Sequence, residues 1–122
     1  MNGNVNGDRA YLEHIREAIR RVTEYTATGR DDFFARTLLQ DGVIRNLEII
    51  GEATKKLSPE LRSRYPDLPW KNMAALRDVM IHNYLGVDLG IVWDVVVHRL
   101  PDLDRLITGI HGDIGEDPNA AP

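Results

Sequence analysis

Leu12, Ile15, Ile19 and Val22 recur at intervals of three and four, the period of an apolar stripe along one face of an α-helix. Thr28-Gly29-Arg30-Asp31 breaks the stripe and predicts the end of that helix. A second helical run is predicted from about Asp32 to Leu57, with Val43, Leu47, Ile50 and Leu57 on one face and an irregularity at Gly42. Ser58-Pro59-Glu60 reads as a cap followed by proline at the first helical position, opening a short helix that stops before Pro66. A further helix is predicted from about Pro69 to His82. Asp88 is placed to cap a last one that carries Val92, Val96, Leu100, Leu103 and Ile107 inward. Pro101 lies inside that pattern, and its missing N–H predicts a local bend. No stretch alternates apolar and polar residues for long enough to argue a sheet, and no internal repeat is visible. The expected fold is all-α, an up-and-down bundle of four main helices plus a short one. Residues 1–7, rich in Asn and Gly, are expected to form a disordered arm, 8–111 the domain, and 112–122 a disordered tail.

A chain of 122 residues with 43% hydrophobic content suits one domain with a modest core, which a small helical protein often completes by dimerising. The absence of cysteine removes disulfides, thiolate catalysis and most structural zinc sites. The apolar runs fall short of the ~20 residues of a membrane span, and the polar N-terminus lacks a signal-peptide pattern. A soluble, cytoplasmic protein without a membrane partner is therefore expected. Fifteen basic against nineteen acidic side chains leave a formal charge of −4, the wrong sign for nucleic-acid binding by bulk attraction. Any RNA site has to be local, and Arg62 with Arg64, or Arg45 with Lys55 and Lys56, are the candidate patches.

Other chemistry is sparse. With no Walker loop and no Gly-x-Gly-x-x-Gly, no cofactor is expected. Glu48 and Glu52 lie one helical turn apart, but Lys55 and Lys56 are within pairing distance of Glu52. Those carboxylates are better read as the polar wall of a cleft, or a dimer contact, than as metal ligands, and no metal is expected. Gly51 in mid-helix costs about 1 kcal/mol relative to Ala, which predicts a close helix crossing there. His14, His98 and His111 share no ligand spacing and read as surface or tail residues, and Trp70 and Trp93 as core plugs.

The exception is Arg77-Asp78-Val79-Met80-Ile81-His82-Asn83-Tyr84, an R-x4-H-x-Y string near the end of a predicted helix. Metal-free RNA cleavage needs a proton carrier near neutrality and a cation for the phosphate oxygens. His82 and Arg77 are the residue types for these tasks. At about 100° per residue, Asp78 and His82 lie ~40° apart, so the carboxylate is placed to fix the imidazole tautomer. Arg77 and His82 are ~140° apart. Either the helix unwinds near His82 or a second subunit helps build the site. Without any catalytic role, His82 would serve to cap a helix C-terminus.

The spacing resembles the signature of HEPN ribonuclease toxins, specifically the HepT-like family encoded beside a minimal nucleotidyltransferase antitoxin. Val43-Ile44-Arg45-Asn46-Leu47-Glu48-Ile49-Ile50-Gly51-Glu52-Ala53 resembles that family's other characteristic segment, Tyr65-Pro66-Asp67-Leu68-Pro69-Trp70 the connection before the motif helix, and Leu85 to Trp93 the passage into the last helix. The likeness covers roughly residues 9 to 108. It implies a HEPN bundle forming a homodimer with both motifs facing a shared cleft, and metal-independent endoribonuclease activity on RNA. Arg77 and His82 would be catalytic, Asp78 orienting, and Arg45, Glu48, Glu52 and Asn83 candidates for the cleft or RNA contacts. It also implies a type VII toxin–antitoxin system in which an MntA-like nucleotidyltransferase transfers AMP to Tyr84. The competing expectation is a non-catalytic helical subunit that presents substrate to a nucleotidyltransferase.

Overall fold

The computed structural model describes the backbone of residues 3–82 and 88–114, and their side chains apart from those of 3–6 and 79–82. All elements among them are helical: α1 (Gly3–Tyr25), α2 (Arg30–Ala35), α3 (Thr37–Lys56), α4 (Pro59–Arg64), α5 (Trp70–His82), α6 (Leu89–Asp94), a π-helical turn (Val95–Arg99) and α7 (Leu100–Ile114). The fold is the all-α HEPN-type bundle expected.

The predicted stripe of α1 is the buried one, with Leu12, Ile15 and Val22 fully enclosed. Val43, Leu47 and Ile50 of α3 meet it, and Leu100, Leu103 and Ile107 close the core from α7. Phe33 is wedged between the rings of Phe34 and Trp93, each 5.4 Å away between centroids, which makes Trp93 the plug its sequence context predicted. Trp70 is likewise partly buried, its indole N–H donating to the Tyr65 carbonyl at 2.9 Å.

Contacts at the ends of the helices give the topology. Asp8 near the start of α1 accepts from the backbone N–H (2.8 Å) and hydroxyl (2.6 Å) of Ser58, just past the end of α3. Tyr25, at the end of α1, lies against Gly42 near the start of α3. The two helices are therefore antiparallel, and α5 and α7 continue the up-and-down course. The helix α3 is central, packed on α1 along one side and on α5 along another.

Several boundaries differ from expectation. The break in the second helical run falls at Arg36, not Gly42. Arg36 is extended (φ −123°, ψ 111°), and the Gln40 amide donates to the Phe33 and Phe34 carbonyls at 3.0 and 3.1 Å, satisfying acceptors that the helix end leaves open. Gly42 instead makes room for the Tyr25 ring, which would lie 2.9 Å from an added Cβ. Helix α1 reaches back to Gly3, into the segment expected to be a disordered arm; an established helix adds a bond for each residue it fixes, and Asp8 ties this end to Ser58. Helix α7 runs on to Ile114, past the expected boundary at 111, where the Tyr65 hydroxyl donates to Asp113 at 3.1 Å.

The expected caps are present. The Ser58 hydroxyl accepts from the Leu61 N–H at 3.1 Å, and the Asp88 carboxylate from Gly90 and Ile91 at 2.8 and 3.3 Å. Gly29 adopts φ +100° in the turn before α2, a conformation in which a side chain is strained. Immediately before Pro101, where a bend was expected, the helix widens into a π turn in which the Leu100 N–H bonds to the Val95 carbonyl five residues back. Proline crowds the carbonyl four residues earlier, and the wider turn accommodates it.

His111 is not a tail residue. Arg16 Nη1 lies 3.3 Å from its Nδ1, and its Nε2 lies 3.0 Å from the Glu13 carboxylate. The hydrogen bond between His111 and Glu13, more than the nearby Arg9 and Arg16 charges, holds the Glu13 carboxyl below its usual range. No helix among the described residues is long and apolar enough to cross a membrane.

Candidate functional site

The site is built on the crossing of α3 and α5. A Cβ on Gly51 would lie 2.5 Å from the Arg77 backbone nitrogen and 2.8 Å from the Arg77 Cβ, so only glycine allows this approach. The helix-interior cost of glycine is thus offset by close packing inside one subunit.

The crossing places Arg77 beside Glu52, whose carboxylate lies 2.5 Å from the arginine Nε. Arg77 Nη1 is 3.6 Å from Asp78 Oδ1, which also accepts from Lys55 Nζ at 3.2 Å. Glu52, Arg77, Asp78 and Lys55 therefore form a row of alternating charges, each 39–49% exposed. Exposed pairs of this kind are worth about 1 kcal/mol or less, so the row orients the guanidinium more than it stabilises the fold. The pairing of Glu52 with Lys55 or Lys56 expected from helical spacing does not occur. Lys55 is drawn across the crossing to Asp78, and the Lys56 ammonium sits 6.0 Å from the centroid of the Tyr11 ring.

A groove opens on each side of this row. On the α1 side, a cavity of about 430 Å³ is lined by Tyr11, His14, Arg45, Glu48, Glu52, Lys56 and Arg77, among others. It unites four of the residues singled out in the sequence, Arg45, Glu48, Glu52 and Arg77. Its cations outnumber its carboxylates by three to two in a chain whose net charge is −4, as a local RNA site requires. Arg45 Nη1 is 3.5 Å from Glu48 Oε1. On the α4 side, Asp78 lines a second groove of about 690 Å³ together with Lys55, Arg62, Trp70 and Lys71.

Tyr11 and His14 were missed as site residues. Their rings meet edge to face at 6.0 Å, and the signal available was their spacing of three, which puts both on one face of α1. His82 closes α5, but its side chain, and with it the expected bond from Asp78, is outside the described set. Asn83 and Tyr84 lie outside the described residues altogether. Among the described residues no group of three His, Asp or Glu side chains is placed to hold a metal ion.

A helical bundle that carries the Arg-x4-His helix is what the HEPN resemblance implied, and the family comparison agrees. The model of the HepT-like ribonuclease family matches residues 15–110, and the chain belongs to that family. It is 46% identical over 91% of its length to a Methanocaldococcus jannaschii protein named "Gamma-glutamylcyclotransferase and putative RNase", of which it spans only 50%. A "Putative RNase" of the same organism is 41% identical over 92% of this chain and 94% of the relative. A "Probable ribonuclease HepT" of Thermococcus cleftensis is 43% identical over 76% of this chain and 86% of the relative. No solved structure matches the chain.

Proposed function

We propose that this protein is a metal-independent endoribonuclease, the toxin of a type VII HEPN/MNT toxin–antitoxin system. The observation that carries the proposal is the placement of Arg77. Its guanidinium is held at Nε by Glu52 at 2.5 Å and approached at Nη1 by Asp78 at 3.6 Å, and it lines a groove with a cationic excess, where its outer edge can meet phosphate oxygens. In this mechanism His82 takes the proton of a ribose 2′-hydroxyl as its oxygen attacks the adjacent phosphorus. Arg77 stabilises the extra charge on the phosphoryl oxygens. The bond to the 5′-oxygen breaks, that oxygen takes up a proton, and a 2′,3′-cyclic phosphate and a 5′-hydroxyl result.

Helix α5 is regular through His82, so positions 77 and 82 stay ~140° apart around its axis. That favours a homodimer in which the His82 of one copy works with the Arg77 of the other over the alternative of an unwound helix end.

Regulation in this proposal is a transfer of AMP from ATP to the Tyr84 hydroxyl by a partner nucleotidyltransferase. A tyrosyl–phosphate ester forms, and pyrophosphate and a proton leave. The added phosphate stands near Arg77 and His82 and competes with RNA by charge and bulk. Purified protein is expected to cut RNA in EDTA. If it only binds RNA, it is a substrate-presenting subunit instead. Incubation with the partner, ATP and Mg²⁺ is expected to add whole AMP units to the Tyr84 peptide of wild type and none to Tyr84→Phe, whose ribonuclease activity escapes neutralisation. An unchanged mass leaves simple occlusion as the means of control.

A further inference from the structure

The groove on the α4 side has a composition that the cleavage step does not use. Lys55, Arg62 and Lys71, contributed by α3, α4 and α5, face one carboxylate, Asp78, which gives this strip the largest cationic excess of the grooves around the site. Arg62 lines the groove from α4 and is only partly buried. Its planar guanidinium is the group that phosphate oxygens fit best. Trp70, partly buried against the core, lines the same groove and is a residue type on which a base can stack.

The groove begins at the reactive position, since Asp78 is next to Arg77 in the chain and 3.6 Å from its Nη1. From Lys71 to Asp78 the helix advances about 10 Å, the length of roughly three stacked nucleotides at ~3.4 Å each. We propose that this groove is a track for the single-stranded RNA that flanks the cleaved bond, with Lys71 and Arg62 meeting successive phosphates and Trp70 offering a stacking surface. The track rests on the ribonuclease assignment above. It extends that assignment by giving the enzyme a grip on the strand outside the cleft.

The test is binding of a labelled 2′-O-methyl RNA dodecamer, which lacks the attacking hydroxyl and stays intact, followed by fluorescence anisotropy from 50 to 200 mM salt. Lys71→Ala and Arg62→Gln are each expected to weaken binding and to reduce the slope of log K against log salt by about 0.7, the contribution of one phosphate contact to a single strand. Arg105→Ala, a cation on α7 paired with Asp102, serves as the control and should leave the slope unchanged. Lys71 is exposed, so its variant keeps the test valid even if Arg62→Gln unfolds. Wild-type slopes in Lys71→Ala and Lys71→Glu overturn the track, and if RNA is still cut the ribonuclease assignment survives alone. Reduced slopes in a protein that never cuts RNA support the track and sink the ribonuclease assignment.

Discussion

The two grooves share a wall, yet their charges are arranged differently. The α1-side groove holds Arg77, two carboxylates and an aromatic pair, so its cations are partly spoken for: Glu52 holds Arg77 and Glu48 approaches Arg45. The α4-side groove has three cations and only Asp78 to answer them. A groove whose cations are mostly paired fixes the direction of its charges, as an active site needs, whereas one with a larger cationic excess attracts a polyanion without selecting its sequence. The difference teaches that a chain of net charge −4 presents a cationic strip by distributing charge and not by total charge.

The most severe way to break the comparison is to remove the two groups proposed to carry cleavage. Arg77→Ala and His82→Ala are each expected to cut RNA cleavage by about 100-fold or more, with circular dichroism and melting temperature close to wild type. Loss of the fold together with the activity would make the residue structural. Next comes Gly51→Ala, which drives a methyl into the Arg77 backbone. Because backbone cannot swing aside as a side chain can, α3 and α5 must separate, at a cost of about 1–3 kcal/mol. A thermal melt should register this, together with a fall in activity, and an unchanged Tm would show the crossing to be looser than described.

Glu52→Gln probes the balance of the α1-side groove alone. It keeps the shape but removes the charge that holds Arg77, and with an exposed pair worth about 1 kcal/mol a loss in kcat of roughly fivefold follows. A rise in KM with unchanged kcat would instead make Glu52 a binding group. The smallest effect is expected far from both grooves. Glu13 has a lowered pKa in the fold through His111, so its contribution to stability is complete above the ordinary glutamate value of 4.5 and disappears as pH falls through the depressed one. Glu13→Gln should therefore flatten the stability curve on the acid side by less than about 1 kcal/mol, as denaturant midpoints at pH 3 and pH 6 would reveal. An equally steep acid loss in the variant would assign it to other carboxylates.

Local signals were legible. The stripe of Leu12, Ile15, Ile19 and Val22, the caps at Ser58 and Asp88, and the run of α5 from about residue 70 to His82 all stand close to where their spacing placed them, because each depends on residues within a turn or two of itself. Gly51 announced a close crossing but not its partner. The same limit explains Glu52, for which helical spacing offered Lys55 and Lys56, and which the fold pairs with Arg77 from another helix. It also explains Tyr11 and His14, which become groove residues only when α1 is laid beside α3.

By itself, then, the sequence determined where the main helices lie, which of their faces turn inward, and which residue types can hold a phosphate or carry a proton. Those properties follow from period, caps and side-chain chemistry. The tertiary structure alone decided that Gly51 meets Arg77, that Glu52 and Lys55 part to opposite ends of a charge row, and that the cations divide into two grooves on either side of it. These depend on the register of helices far apart in the chain, which is set by close packing across the whole core and is written in no local pattern.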